Sequence, residues 1–126
     1  MTRRLTFRVG NAELVFHPLA LLSVASLLFA ENTVYALSVL LCAALHEIGH
    51  IAVLYLCGGK VVRLSFLPCG MEICMSPLSY RRETAVALAG PFTNLLCAFF
   101  FYLAAPNGAF FLFCTDCSVF LALFNL

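Results

Sequence analysis

The chain has 126 residues, of which 63% are hydrophobic and only 10% are charged, and its formal net charge is +1. Soluble domains are about 25% charged, and a soluble domain of this length cannot hide so much apolar surface from water. The composition therefore excludes a soluble enzyme and a disordered segment, and the net charge gives no reason to expect a nucleic-acid partner. We expect one membrane-embedded domain over residues 1–126, with three to four transmembrane helices of about 20 residues each.

The first part of the chain is basic and then becomes apolar. Leu5, Phe7 and Val9 alternate with Thr6, Arg8 and Gly10, and this period of two favours a short strand or an interfacial segment. Residues 14–30 carry no formal charge and predict a first transmembrane helix near the lower length limit for a span. A cleavable signal peptide is the rival interpretation, which we disfavour because a second apolar run follows at once.

Three further apolar runs predict transmembrane helices over residues 34–57, 84–105 and 110–126. Glycines at positions 58 and 59 end the second run, as is typical of helix C-termini. Between the second and third runs, residues 61–75 form two β-like stretches around Pro68-Cys69-Gly70, which predicts a hairpin. The predicted fold class is therefore an all-α polytopic membrane protein with a small cytoplasmic β hairpin.

The positive charges predict the orientation of the chain. They lie before the first predicted span and between the second and third, at Arg3, Arg4, Arg8, Lys60, Arg63, Arg81 and Arg82. Two spans separate these regions, so both lie on one side of the membrane. The positive-inside rule places the N-terminus and the hairpin in the cytoplasm.

A chemically reactive cluster, His46, Glu47 and His50, lies inside the second apolar run. Positions i and i+4 share one helix face, so two imidazoles with this spacing can bind one Zn²⁺ at about 2.0–2.1 Å. Glu47 lies near that face and can take a proton from water whose pKa the metal lowers. This His-Glu-x-x-His spacing is that of zinc peptidases. Ionisable groups roughly 10–16 Å inside an apolar helix are costly unless they have partners.

Plainer interpretations stay open for these and other residues. One alternative is that the cluster only forms hydrogen bonds between helices, and another is that it binds haem or two metal ions. His17 is either a ligand or an interfacial histidine, and Asp116 is either a solvated acid or a weak candidate ligand. The Cys114-x-x-Cys117 pair is either a redox or soft-metal site or a structural pair of thiols. Structural, mostly reduced thiols are what we expect of the seven cysteines.

The chain resembles the site-2 protease family of zinc intramembrane metalloproteases, and most of all its short bacterial branch that processes sporulation factors. Three elements in order carry the resemblance, which covers about residues 16–126. They are the stretch Leu45-His46-Glu47-Ile48-Gly49-His50, the turn Leu67-Pro68-Cys69-Gly70 after Gly58-Gly59, and Ala87-Leu88-Ala89-Gly90-Pro91-Phe92-Thr93-Asn94, which is similar to the family's Ala-Gly-Pro-x-x-Asn element.

The resemblance implies that His46 and His50 are zinc ligands and that Glu47 is the general base. It also implies that Asn94 is catalytic, placing the substrate backbone or polarising the scissile carbonyl. Without the resemblance, Gly90-Pro91 would equally be a kink and Asn94 a polar contact between helices. The family's third ligand, an Asp in a Leu-Asp-Gly element, is absent, and Phe124-Asn125-Leu126 is similar to the start of the stretch that precedes it. We therefore expect a C-terminally incomplete domain.

The implied function is zinc-dependent cleavage of a protein substrate in or beside the membrane, by an integral protein of the bacterial plasma membrane. The implied partners are the lipid bilayer, a transmembrane or membrane-tethered substrate and a membrane regulatory protein, without nucleic acid. The alternative is a catalytically inactive pseudoprotease that binds a membrane partner. A plain helical scaffold is a further alternative. We expect the 126-residue form to be inactive, because it lacks the third ligand.

Overall fold

The computed structural model describes residues 4–29, 32–68 and 70–126. The N-terminal half contains β1 (Leu5–Val9), β2 (Ala12–Phe16), α1 (Pro18–Leu28) and α2 (Thr33–Leu56). The C-terminal half contains β3 (Val61–Leu67), β4 (Gly70–Met75), α3 (Tyr80–Ala104), a 3-10 turn (Ala105–Asn107) and α4 (Ala109–Phe124). Helices α2, α3 and α4 pack against one another, and the strands form one sheet beside them.

In the described part of the chain the sheet has four strands in the order β1-β2-β3-β4. The two outer pairs are antiparallel, whereas β2 and β3 are parallel, since α1 and α2 form the crossover between them. Glu13 lies opposite Arg63 and the two form an ion pair of 2.7 Å. Phe16 stacks on Phe66 with 4.5 Å between ring centroids.

The predicted hairpin is therefore one half of a larger sheet, and the all-α fold class is wrong to that extent. Strands β3 and β4 confirm the predicted hairpin itself, although Cys69 in its turn lies outside the described residues. The alternation around Phe7 does mark a strand, β1. What the prediction omitted is the pairing of β2 with β3, which satisfies backbone groups that a lone hairpin leaves open.

The first predicted span, over residues 14–30, is wrong in its first part, because residues up to Phe16 belong to β2. His17 ends the strand and caps α1, with its Nδ1 accepting a hydrogen bond of 3.3 Å from the backbone N–H of Leu19. Pro18 occupies the first turn, a position that suits its fixed φ. The 11 residues of α1 extend only about 16 Å, well short of a hydrocarbon core of about 30 Å.

The remaining helices follow the predicted apolar runs closely. Helix α2 coincides with the run over 34–57, and α3 begins four residues before the run over 84–105. Within the described ranges, these two helices are long and apolar enough to cross a membrane, whereas α4 has 16 residues. The prediction of three to four spans is therefore not confirmed. Large aromatic side chains on α3 are exposed, for example Phe99 and Phe100 at 58% each, and this apolar surface indicates a membrane protein.

The described basic residues gather at one end of the helices. Pairing of β2 with β3 brings Arg8 of the N-terminal strands to the same sheet as Arg63. At the start of α3, Arg82 Nη1 donates a hydrogen bond of 3.1 Å to the carbonyl oxygen of Cys57, which ends α2. These contacts agree with the prediction that both regions of positive charge lie on the same side of the membrane, which itself stays a prediction. Assignment of that side to the cytoplasm stays a prediction.

Gly49 allows close packing of α2 against α3. A Cβ atom at Gly49 would overlap the side chain of Thr93 and would approach the carbonyl oxygen of Ala89 to 3.0 Å. Small residues allow this kind of approach between helices in a membrane. Gly49 lies between the two candidate zinc ligands in the chain, so this contact also fixes the distance of the site from α3.

Substitution Gly49→Val is expected to destabilise the fold by about 1–3 kcal/mol, the range for overpacked interiors. The branched side chain has no space unless α2 and α3 separate. Unfolding in mixed detergent micelles, followed by circular dichroism, measures the change. The matched control is Ile48→Val on the neighbouring exposed position, which we expect to change stability by no more than about 0.5 kcal/mol. Equal stability of the two variants would contradict the close contact.

Candidate active site

A cavity of about 240 Å³ lies between β4 and the helices. Its walls come from α2, β4, the first turns of α3 and the residue after α4, and they consist of His46, Glu47, His50, Met71, Ile73, Met75, Glu83, Val86, Ala87 and Asn125. The three residues of the His-Glu-x-x-His motif therefore share one cavity. Alternate residues of β4 form its apolar side, because successive side chains of a strand point to opposite faces.

The two imidazoles face each other through the same ring nitrogen. His46 Nε2 and His50 Nε2 are 3.0 Å apart, and the ring planes are nearly perpendicular at 81°. Two nitrogens bound to one tetrahedral zinc ion at 2.0–2.1 Å would be separated by about 3.3 Å. The observed spacing and the chemistry of the donors therefore suit two of the ligands of a zinc ion.

Each ring is also held through its other nitrogen. His50 Nδ1 lies 2.7 Å from the carbonyl oxygen of Val86, and His46 Nδ1 lies 3.0 Å from Nδ2 of Asn94. A carbonyl oxygen only accepts, so His50 Nδ1 carries the donated proton and Nε2 keeps its lone pair. Hydrogen bonds of this kind to the outer nitrogen orient metal-binding histidines.

The backbone of α3 comes close to both imidazoles at Gly90. A Cβ atom there would lie 2.6 Å from His46 Nε2 and would also overlap His50 Nε2. Only glycine leaves this space free. Gly90 therefore lets the backbone of α3 approach both imidazoles closely, and the Pro91 that follows lies inside α3.

Glu47 is half-buried, and it lines the cavity together with both histidines. This position is the one that a general base toward a water molecule in the cavity requires. Asn94 contacts the ring of His46 and is not part of the cavity wall. Its direct contact with a substrate stays a prediction.

The other sequence candidates lie elsewhere. His17 caps α1, and Asp116 lies on α4 without lining the cavity. Cys114 contributes to packing between helices, because its carbonyl oxygen accepts a hydrogen bond of 3.4 Å from Cys42 Sγ. Within residues 4–29, 32–68 and 70–126, no group of three His, Cys, Asp or Glu side chains is placed to bind a metal ion. The described residues therefore bring together two candidate zinc ligands, His46 and His50, and no third.

Several residues of the site were not predicted. Val86 contacts His50 through its backbone carbonyl oxygen. Every residue has this group, so the identity of the side chain does not predict the contact. Glu83 lines the cavity only because α3 begins four residues earlier than its apolar run suggests. Asn125 was noted for its resemblance to a family element and not as a site residue. Its position after α4 places it at the cavity.

Comparison with known proteins agrees with this fold. No protein-family model matches the sequence, and a search of curated proteins finds no match. Among solved structures, a site-2 protease from Methanocaldococcus jannaschii is similar, with a TM-score of 0.77 and 19% sequence identity. The match covers 98% of this chain and 64% of that chain. Over nearly all of its 126 residues, the chain therefore has the fold of a site-2 protease.

Proposed function

We propose that the chain is a zinc-dependent endopeptidase that cleaves a peptide bond within or beside a membrane-spanning protein substrate. The observation that carries the proposal is the meeting of His46 Nε2 and His50 Nε2 at 3.0 Å, with Glu47 in the same cavity. The similarity to a solved site-2 protease supports the same class of function. The cavity lies between α2 and strand β4. Non-helical backbone in a membrane protein is tolerated where it lines a water-filled cavity, so water can reach the site from the side of the sheet.

The chain's own residues divide the chemistry between them. His46 and His50 would hold the zinc ion through Nε2, and the hydrogen bond to the carbonyl oxygen of Val86 keeps the ring of His50 in place. A bound zinc ion would polarise the scissile carbonyl and lower the pKa of water. Glu47 takes the proton of the attacking water molecule and returns it to the leaving amine. The same cavity is lined on the β4 side by apolar side chains, those of Met71, Ile73 and Met75.

The sheet offers a place for an extended substrate. Peptide bonds inside a transmembrane helix are shielded, because their carbonyl groups are hydrogen-bonded within the helix. A substrate must therefore unwind before cleavage. Strand β4 is at the edge of the sheet and has only β3 as its neighbour in the described part of the chain. We propose that an unwound substrate segment pairs with this edge, close to the apolar side chains of Met71, Ile73 and Met75.

The proposed setting is the bacterial plasma membrane, with the sheet on the cytoplasmic side and a membrane protein as regulator. The clustering of basic residues beside the sheet supports this orientation. The exposed apolar side chains of α2 and α3 support contact with lipid.

The first test is zinc binding by the purified chain in detergent micelles. We expect the wild-type chain to bind one zinc ion per chain. His46→Ala and His50→Ala should each bind zinc at least about 100-fold more weakly, because loss of a hydrogen-bond partner of a ligand alone lowers metal affinity by about 10–100-fold. Isothermal titration calorimetry with ZnSO₄ measures the affinity, and elemental analysis measures the number of zinc ions per chain. His17→Ala is the matched control, because that ring caps α1.

Failure of the wild-type chain to bind zinc would contradict the proposed function. Unchanged affinity in His46→Ala would contradict the assigned ligands. Zinc binding without cleavage of any membrane-spanning peptide would favour the alternative, a pseudoprotease that binds a membrane partner.

A further inference from the structure

Asn94 is the buried amide of α3 that reaches a proposed zinc ligand. Its side chain is fully buried, with 0% exposure, and its Nδ2 lies 3.0 Å from His46 Nδ1. Its Oδ1 is also buried and has no hydrogen-bond partner among the described residues. A buried amide with an unpaired oxygen costs about 1–3 kcal/mol. The hydrogen bond to His46 is therefore the one side-chain contact among the described residues that accounts for an amide at this position.

The two histidines differ in how their outer nitrogens are held. A neutral imidazole carries one proton, so Nε2 can bind a metal only when that proton is on Nδ1. For His50 the Val86 carbonyl oxygen requires this arrangement, because it only accepts a hydrogen bond. For His46 the partner is an amide, which can present either its oxygen or its NH₂ group to the ring. The two orientations have the same shape and are assigned from hydrogen bonding.

The orientation of the amide is linked to the tautomer of His46. With Oδ1 toward the ring, Asn94 accepts the Nδ1 proton and leaves the lone pair of Nε2 free. With Nδ2 toward the ring, it donates to Nδ1 and favours the proton on Nε2. The structure has Nδ2 toward the ring, and zinc binding through Nε2 requires the other orientation, which has the same shape. Leucine has the same shape but can support neither.

We propose that Asn94 is a positioning residue that orients the His46 ring and holds its proton on Nδ1, so that Nε2 is the zinc-binding atom. The inference rests on the proposed function, because it requires His46 to be a zinc ligand. Asn94 acts through His46, since its side chain is fully buried and does not line the cavity.

The test compares Asn94→Leu, Asn94→Asp and the control Ser118→Ala in the full chain in detergent micelles. Ser118 is a fully buried polar residue that donates to Cys42 Sγ and not to a histidine. The probes are Co²⁺, through its visible absorption bands, and Zn²⁺ by titration. We expect Asn94→Leu to lower the affinity for both metal ions by about 10–100-fold and to alter the Co²⁺ absorption bands. Aspartate accepts the same proton, so Asn94→Asp should keep affinity within about threefold of wild type, as should the control.

Two results would overturn the inference while the proposed function stands. One is wild-type affinity in a folded Asn94→Leu chain. The other is an Asn94→Asp chain that binds as weakly as Asn94→Leu, because a merely structural or packing role predicts no rescue. Failure of the wild-type chain to bind metal would instead overturn the proposed function and this inference together.

A measurement on the wild-type chain decides the matter if the leucine variant does not fold. Nitrogen NMR of ¹⁵N-histidine in the zinc-loaded chain distinguishes a protonated Nδ1 from a metal-bound one. There are three histidines, and His17→Ala removes one of the signals. We expect His46 to carry its proton on Nδ1. Coordination through Nδ1 would overturn the inference.

Discussion

Gly90→Ala is expected to reduce zinc affinity by at least about 100-fold, more than the loss of a single outer hydrogen bond does. The added methyl group would lie 2.6 Å from His46 Nε2 and would overlap His50 Nε2 as well. Both coordinating atoms would have to move, and neither ring can do so without breaking its bond to Asn94 or Val86. Titration of the purified variant with ZnSO₄ measures the loss.

The control for this prediction is Ala85→Val, an exposed position on the same helix. It adds more volume than Gly90→Ala does, but it adds it away from the site. We expect its zinc affinity to stay within about threefold of wild type, because exposed substitutions change free energies by no more than about 0.5 kcal/mol. Zinc binding by Gly90→Ala at wild-type strength would show that α3 does not approach the imidazoles in this way.

The missing third ligand predicts an inactive chain; if the chain nevertheless cleaves membrane-spanning peptides, Glu47→Gln is expected to lower the rate of cleavage by about 10²–10⁴-fold, the range for loss of a general base. Zinc affinity should stay within about threefold, because the amide keeps the shape of the side chain and the two imidazoles are unchanged. The variant therefore separates metal binding from proton transfer. Membrane-spanning peptides reconstituted with the chain in liposomes, with products identified by mass spectrometry, provide the measurement.

Glu72→Gln is the matched control for this variant. Glu72 lies on β4, but its side chain is not part of the cavity, whereas its neighbours Met71 and Ile73 are. We expect cleavage within about threefold of wild type. Cleavage by Glu47→Gln at the wild-type rate would remove Glu47 from the mechanism and would leave the zinc ligands unaffected.

Features that depend on short-range periodicity could be predicted from the order of the amino acids alone. His46 and His50 share a helix face because they are four residues apart, and no other part of the chain is needed to place them together. The apolar runs located α2 and α3 within a few residues, since burial in lipid requires long uninterrupted apolar stretches. Alternation likewise located β1 and the hairpin of β3 and β4.

The tertiary structure decided the features that depend on contacts between distant residues. Residues 14–16 are apolar enough for a helix, but they form β2 because β3, about 50 residues later, offers backbone partners. The partners of the two imidazoles, Val86 and Asn94, lie 36 and 48 residues away from them. Val86 contributes the direction of its backbone carbonyl group, and Asn94 contributes the orientation of its side-chain amide. Such geometry arises only when α2 and α3 pack, so the pairing of His46 with His50 was predictable from the motif, whereas the hydrogen bonds that hold the two rings were not.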